Sequence, residues 1–284
     1  MERKIEKVLL IANLMKPDAS PLVEKIRRYF SEKGIETTLY GLNGISDPPE
    51  SRDFDIALSL GGDGTVLFSA RFLAGNEIPI LPVNLGDFGF ITEVAQDEWS
   101  SAFEKYQAGV LGVRKQIMLQ VRILRDKKIV CTMIGLNDAV ISSSGISKIV
   151  RLDISLSDTP LGEYRADGVI IATPTGSTAY SAAAGGPILE PEMEAMIINP
   201  ICPFTLSNRP LVVSKKEKIR IFVKPNQRAE IILTLDGQNV LNLHPYDCIE
   251  VQTAKNHALI IRSDVRNFFE VLRSKLNWSG GPDA

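Results

Sequence analysis

The chain has 284 residues, 44% of them hydrophobic and 23% charged, with a formal net charge of −2. Those proportions belong to one large or two ordinary soluble globular domains. The near-neutral balance gives no electrostatic ground for a nucleic-acid or membrane partner, and no apolar run approaches the roughly 18 residues of a spanning helix. The three cysteines, Cys131, Cys202 and Cys248, lie far apart, and the only histidines are His244 and His257. That leaves little material for a disulfide framework, a cysteine–histidine metal site or a Ser-His-Asp triad, and it favours a reducing, cytoplasmic setting.

The opening MERKIEKVLLIAN carries basic residues ahead of an apolar run too short for a signal peptide, so 8–12 (VLLIA) reads as a first strand. Ser20-Pro21 supplies a cap and a first-turn proline, and Leu22, Ile26, Tyr29 and Phe30 share one helical face that ends at Gly34. Residues 37–40 read as a second strand and 43–52 as a loop rich in Gly, Pro and Asp. The apolar run 56–60, bounded by charge and glycine, reads as a buried strand. After the turn Gly61-Gly62-Asp63-Gly64-Thr65, residues Val66, Leu67, Ala70 and Leu73 recur at helical spacing, with Thr65 or Asp63 placed to cap the first turn. Residues 78–83 read as another strand, 84–90 (NLGDFGF) as a second glycine turn and 99–106 as a helix. Strands alternating with helices predict a Rossmann-like parallel α/β sheet, with ligands at the carboxyl ends of its strands.

Around Lys115 the pattern changes. Strands over 118–123 and 129–134 flank a polar turn at 125–128, and 151–157 and 219–223 alternate with period two. Residues 229–235, 248–252 and 259–261 add further strands, and the half reads as a β-sandwich. Residues 267–276 return to an amphipathic helix, with Phe268, Val271, Leu272 and Leu276 on one side, expected to dock back on the first domain. The tail SGGPDA reads as disordered. The expected division is an α/β domain over 1–114, a β-rich domain over 115–262 and a returning C-terminal helix over 263–284.

A strand, a glycine turn and a helix present backbone N–H groups and a positive helix end to an anion, and glycines let the backbone come close. The turn at 61–65 lacks the Gly-Lys-Ser/Thr of a Walker loop and the spacing of a dinucleotide fingerprint. Asp63 would repel a phosphate there. It is either the Asp of an ordinary Asp-Gly turn, or a metal ligand, or a base for a hydroxyl that attacks phosphorus. In the β half, 166–189 (ADGVIIATPTGSTAYSAAAGGPIL) holds a strand at 169–172, a hydroxyl-rich turn and a thin helix from Tyr180 to Ala184 capped by Ser177 or Thr178. It reads as a crossover helix or as a surface against which a flat ring packs. Asn137-Asp138 falls in a strand; side by side, an amide and a carboxylate can bond two ribose hydroxyls, or one can face inward and the other water.

Taken together, GGDGT at 61–65, NLGDFGF at 84–90, Asn137-Asp138, ADG at 166–168, TPTGSTAYS at 173–181, AGGPIL at 184–189, DGQ at 236–238 and FFEVLRSKLNW at 268–278 resemble, in that order, the ATP-dependent NAD kinases of bacterial type. GGDGT alone is shared with lipid kinases and phosphofructokinases; the TPTGSTAY block is specific. The resemblance implies an α/β domain followed by a β-sandwich with the active site between them. It implies transfer of the γ-phosphate of ATP to the 2′-hydroxyl of the adenosine ribose of NAD, with Mg²⁺. It makes Asp63 the general base and places Gly61, Gly62, Gly64 and Thr65 at phosphates. It assigns NAD contacts to Phe90 near the adenosine, Asn137 and Asp138 at the ribose, Thr178, Ala179 and Tyr180 around adenine, and Gln238. Asp167 would meet the nicotinamide end from a neighbouring subunit of a dimer or tetramer, and Arg165 would face phosphate; no metal ligand is assigned. Two departures bear on adenine and inter-subunit contacts: Ala183 stands where many members have serine, and Phe204 where many have histidine. Two alternatives are a diacylglycerol- or sphingosine-type lipid kinase, which calls for a lipid-accepting pocket, and a non-catalytic NADP(H) sensor, which would be marked by loss of Asp63.

Overall fold

The computed structural model describes residues 3–42, 48–86, 89–145, 149–205, 207–227 and 229–276. Asp87 and Phe88 of the second glycine turn, Asn277 and Trp278, and the 279–284 tail lie outside them.

The chain begins with β1 (Lys7–Ala12), α1 (Ala19–Glu32), β2 (Glu36–Gly41), β3 (Ile56–Gly61), α2 (Asp63–Phe72), β4 (Ile80–Asn84), β5 (Val94–Ala95), α3 (Trp99–Gln107) and β6 (Val113–Gln116). β3 and β4 are buried at every position, as parallel strands covered on both faces must be, which is why they read as nearly continuous apolar runs, interrupted only by Ser59 in β3 and closed by Asn84 in β4. α1 starts earlier than Ser20-Pro21 suggests: Asp18 is its N-cap, without a side-chain cap bond, and Pro21 still falls in the first turn where it forfeits no intrahelical bond. α1 and α3 meet through aromatic edges, Phe30 with Phe103 at 4.8 Å and Tyr29 with Trp99 at 5.0 Å between ring centroids.

There follow β7 (Leu119–Arg125), β8 (Lys128–Gly135), β9 (Asp138–Ser143), β10 (Val150–Leu156), β11 (Thr159–Ala166), β12 (Gly168–Ala172), α4 (Tyr180–Ala183), β13 (Ala195–Ile201), β14 (Leu211–Ser214), β15 (Ile219–Val223), β16 (Ile231–Leu235), β17 (Asn239–Leu243) and β18 (Cys248–Thr253). They form two six-stranded sheets, β11-β10-β15-β18-β7-β8 and β14-β13-β12-β9-β16-β17. One apolar core, including Val121 and Ile221 from the first and Ile141, Ile171 and Leu233 from the second, fills the space between them. Both residues of the turns at Asp126-Lys127 and Asp236-Gly237 have positive φ, the geometry of tight hairpins between β7 and β8 and between β16 and β17. A short 3₁₀ turn, Thr175–Thr178, precedes α4. Neither Ser177 nor Thr178 caps α4; Ser177 Oγ donates to Pro174 O and accepts from Leu189 N instead.

The chain closes with β19 (Ala258–Ile261) and α5 (Phe268–Leu276). Residues 259–261, grouped with the β half by sequence, instead extend the parallel sheet, whose order is β2-β1-β3-β4-β19-β6 with β5 on β4. ALII is apolar at every position, as an interior strand of that sheet requires. The compact units are accordingly Met1–Lys115 with Ala258–Ala284, and Gln116–His257. α5 buries Phe268 and Val271 in the first unit, while Leu276, expected on the same face, is 45% exposed.

Arg266 ties this returning segment down. Its guanidinium grips Glu98 in two bonds of 2.6 and 3.0 Å and also reaches Glu93 O at 3.2 Å. The hydrogen bonds from Arg266 hold the Glu98 carboxyl below the usual range. A depressed carboxyl contributes stability above its unfolded pKa and loses it as pH falls. Arg266→Met is expected to cost roughly 1.5–3 kcal/mol at pH 7 and less at pH 4; thermal melts at the two pH values check this, and an equal loss at both would contradict it.

Candidate functional site

Residues 61–65 lie where β3 hands over to α2. Gly62 is the helix N-cap in extended conformation and Asp63 the first helical residue, so neither Asp63 nor Thr65 caps the helix with its side chain. The Asp63 carboxylate turns instead to the second glycine turn. Its Oδ1 accepts from Ile91 N (3.2 Å), Thr92 N (3.0 Å) and Thr92 Oγ1 (2.9 Å); its Oδ2 accepts from Phe90 N (2.8 Å). Thr92 Oγ1 itself accepts from Gly89 N at 3.1 Å, which directs its own proton to Asp63. A Cβ at Gly89 would overlap the Asp63 carboxylate, so only glycine lets the two turns meet. Gly61, Gly62, Gly64, Thr65 and Phe90 thus gather around Asp63; the Phe90 ring is half-buried against Phe268 at 6.5 Å.

In the second unit a cleft of ≈ 390 Å³ is lined by Asn137, Asp138, Val140, Ser142, Ala179, Tyr180, Thr234, Asp236 and Gly237. Asn137 precedes β9 rather than lying in it. Asp138, Val140 and Ser142 alternate along β9, so one strand face supplies a third of the lining while Ala139 and Ile141 point into the sandwich core. Asp236, fixed in its tight turn, accepts the N–H groups of Leu136 (2.9 Å), Asn137 (2.7 Å) and Asp138 (3.2 Å). A Cβ at Gly176 would meet Asn137 O, so the 173–181 block packs directly on this backbone. Burial first, and the charge of Asp236 second, push the Asp138 carboxyl up to about 7. Asn137 Oδ1 is buried without a partner. The cleft therefore offers an amide and a carboxyl able to donate or accept near neutrality.

Other expected residues lie elsewhere. Thr178 is half-buried and spends its hydroxyl on Thr175 O (3.2 Å), beside the cleft rather than lining it. Gln238 is exposed in the β16–β17 turn. Arg165 is exposed in β11 with its guanidinium 5.1 Å from the Phe204 ring, and Asp167 donates its N–H to Ile201 O; neither lines the cleft. The reading of the sequence missed Thr92 and Asp236 as site residues. Period-two alternation along β9 and β16 could have found Val140, Ser142 and Thr234; nothing local marks Thr92.

Residues 46–110 match the family profile described as ATP-NAD kinase N-terminal domain, and 136–263 match ATP-NAD kinase C-terminal domain. A NAD kinase of Treponema denticola is 44% identical over 277 residues, 97% of this chain and 98% of its own. This chain belongs to the NAD kinase family. A NAD kinase of Geobacter sulfurreducens is 36% identical over 282 residues, covering 96% of this chain and 99% of its own. Two solved structures share the fold: yeast NADH kinase in complex with NADH (TM-score 0.84, 22% identity, 98% of this chain and 89% of that one) and an Archaeoglobus fulgidus NAD kinase in complex with ATP (TM-score 0.77, 23%, 95% and 98%). In the terms of this NAD kinase family, GGDGT and the two segments around the cleft are the parts the sequence had already marked.

The raised Asp138 carboxyl has a consequence for stability. Folding disfavours its charge, so the protein loses stability as pH rises from about 4 towards 7. Asp138→Asn removes that loss. Its melting temperature is expected to match the parent near pH 4 and to exceed it by several degrees at pH 8; a difference that does not change with pH would show that the carboxyl does not titrate in this range.

Proposed function

We propose that this chain transfers the γ-phosphate of ATP to the 2′-hydroxyl of the adenosine ribose of NAD, with Asp63 taking the hydroxyl proton. The observation that carries the assignment of the base is the uneven use of the Asp63 carboxylate. Oδ1 accepts three donors, whereas Oδ2 accepts one and keeps a lone pair for an incoming hydroxyl. A ribose hydroxyl is a poor nucleophile at neutral pH and needs a positioned acceptor for its proton as it attacks in line. Four protein donors hold this acceptor still, so little is lost to reorganisation when the proton moves.

The cleft at Asn137 and Asp138 is read as the ribose subsite, with Tyr180 and Ala179 beside the adenine; Asp138 as a carboxylate would accept from a ribose hydroxyl. Asp167, away from the cleft, suits the reading that it acts at a neighbouring subunit; exposed Arg165 is read as facing phosphate. Exposed Ile129 and Val130 on edge strand β8, and Leu211 and Val212 on edge strand β14, support a homo-oligomer, dimer or tetramer. Free Cys131, Cys202 and Cys248 suit a cytoplasmic setting. No helix among the described residues is long and apolar enough to cross a membrane. Mg²⁺ is read as part of the substrate, carried on the ATP phosphates. The described residues hold no group of three His, Cys, Asp or Glu able to cage a cation, and Mg²⁺ on nucleotides keeps waters and few protein ligands. Likeness to lipid kinases stops at GGDGT, whereas likeness to NAD kinases spans nearly the whole chain, and the presence of Asp63 speaks against a pure sensor.

Asp63→Asn tests the base. The amide nitrogen would take the place of one oxygen and face a backbone N–H, so a lower melting temperature is expected as well. Read well below that temperature, kcat for NADP⁺ formation should fall by about 10²–10⁴ with NAD still bound. Near-parental kcat would remove Asp63 from the role, and diacylglycerol phosphorylation without NADP⁺ would overturn the function itself.

A further inference from the structure

A cation that no motif marks lies beside the GGDGT turn. Lys16 sits in the connection between β1 and α1, and its ammonium donates to Leu85 O at 2.5 Å. It stands 3.2 Å from where a Cβ on Gly86 would be and 4.0 Å from the corresponding point on Gly62. The three segments meet because β1, β3 and β4 are neighbours in the sheet and the chain leaves each at the same edge, with Ala12 opposite Leu60 and Gly61 opposite Asn84. Lys16 has no carboxylate partner among the described residues, and a carbonyl uses one of its three donors.

Two further observations point to a missing acceptor at this edge. The N–H groups of Gly62 and Asp63, at the start of α2, have no acceptor among the described residues. Asn84, at the end of β4 opposite Gly61, is 3% exposed, and both atoms of its amide are buried without a hydrogen-bond partner. Native proteins leave few polar groups in that condition, and each calls for an explanation.

The geometry points to a phosphate subsite in which the Lys16 ammonium, the Gly62 and Asp63 N–H groups and the Asn84 amide receive the phosphate chain of a nucleotide. The inference rests on the function proposed above and adds to it the residues that offset the negative charge of Asp63. A carboxylate alone beside a triphosphate is repulsive; a lysine whose ammonium lies 4.0 Å from the Cβ point of Gly62 supplies a compensating charge, and the helix end adds to it. Two ligands carry the chemistry, the triphosphate of ATP and the pyrophosphate of NAD. The triphosphate is the one assigned, because the transferred phosphoryl group must lie beside Asp63.

The test is Lys16→Met, with Lys16→Arg as the charge-keeping control, each checked for an unchanged melting temperature. Lys16→Met should raise KM for ATP, and the calorimetric dissociation constant for ATP without NAD, by about 10–100-fold. KM for NAD should stay within about twofold, and Lys16→Arg should recover much of the loss. A folded Lys16→Met that binds ATP as the parent does overturns the subsite, and so does a rise confined to NAD. A parent protein that makes no NADP⁺ while its ATP affinity still depends on Lys16 overturns the proposed function and leaves the subsite standing.

Discussion

One carboxylate meeting four donors ties the two glycine turns of the first unit together. Asp63 begins α2, and the groups it accepts from belong to residues 90–92, beyond the end of β4. Two loops that leave neighbouring strands are thereby made one object. The bond needs a bare backbone at Gly89 and a fully buried Thr92, whose hydroxyl is itself oriented by Gly89 N–H. Hydrogen bonds to a charged acceptor are stronger than neutral ones, and with four of them the carboxylate has little freedom of rotation. The same arrangement explains why Asp63 fails as a helix cap: its oxygens are spent on the neighbouring loop.

The second unit solves a parallel problem with a different device. A tight turn places Asp236 where three successive N–H groups, from Leu136 to Asp138, converge on it. The bonds shape the backbone that enters β9 and leave a fixed negative charge under the cleft. Asp138, placed above that charge and out of water, then becomes the group whose protonation is negotiable.

The sheet-forming runs and the glycine turns were legible because their signals are local. Alternation marked β10 and β15, nearly continuous apolar runs marked β1, β3 and β4, and GGDGT and TPTGSTAY marked the turns. The helix caps were misread at Ser20 and Thr65 because each helix starts before them, at Ala19 and Asp63, and at Ser177 because a short polar side chain bonds whichever backbone tertiary structure brings nearest, here Pro174 O and Leu189 N. Strands such as β11, β13 and β17 carry Pro, Gly or Asn within or beside them and do not advertise themselves. Lys16, Asn84 and Thr92 acquire meaning only when strands far apart in sequence become neighbours, which no window on the sequence contains.

The placement of β19 also governs the order in which the protein can be finished. This strand lies between β4 and β6 in the first sheet, yet it is made only after the whole second unit. A ribosome releasing the chain from its N-terminus therefore exposes a sheet with a gap, its β4 edge paired only at Val83 and Asn84, by β5, until residue 258 and those beyond emerge. The second unit, contiguous from Gln116 to His257, has no such wait. Assembly of the two halves is thus expected to run against the direction of the numbering, with the unit that starts first completed last.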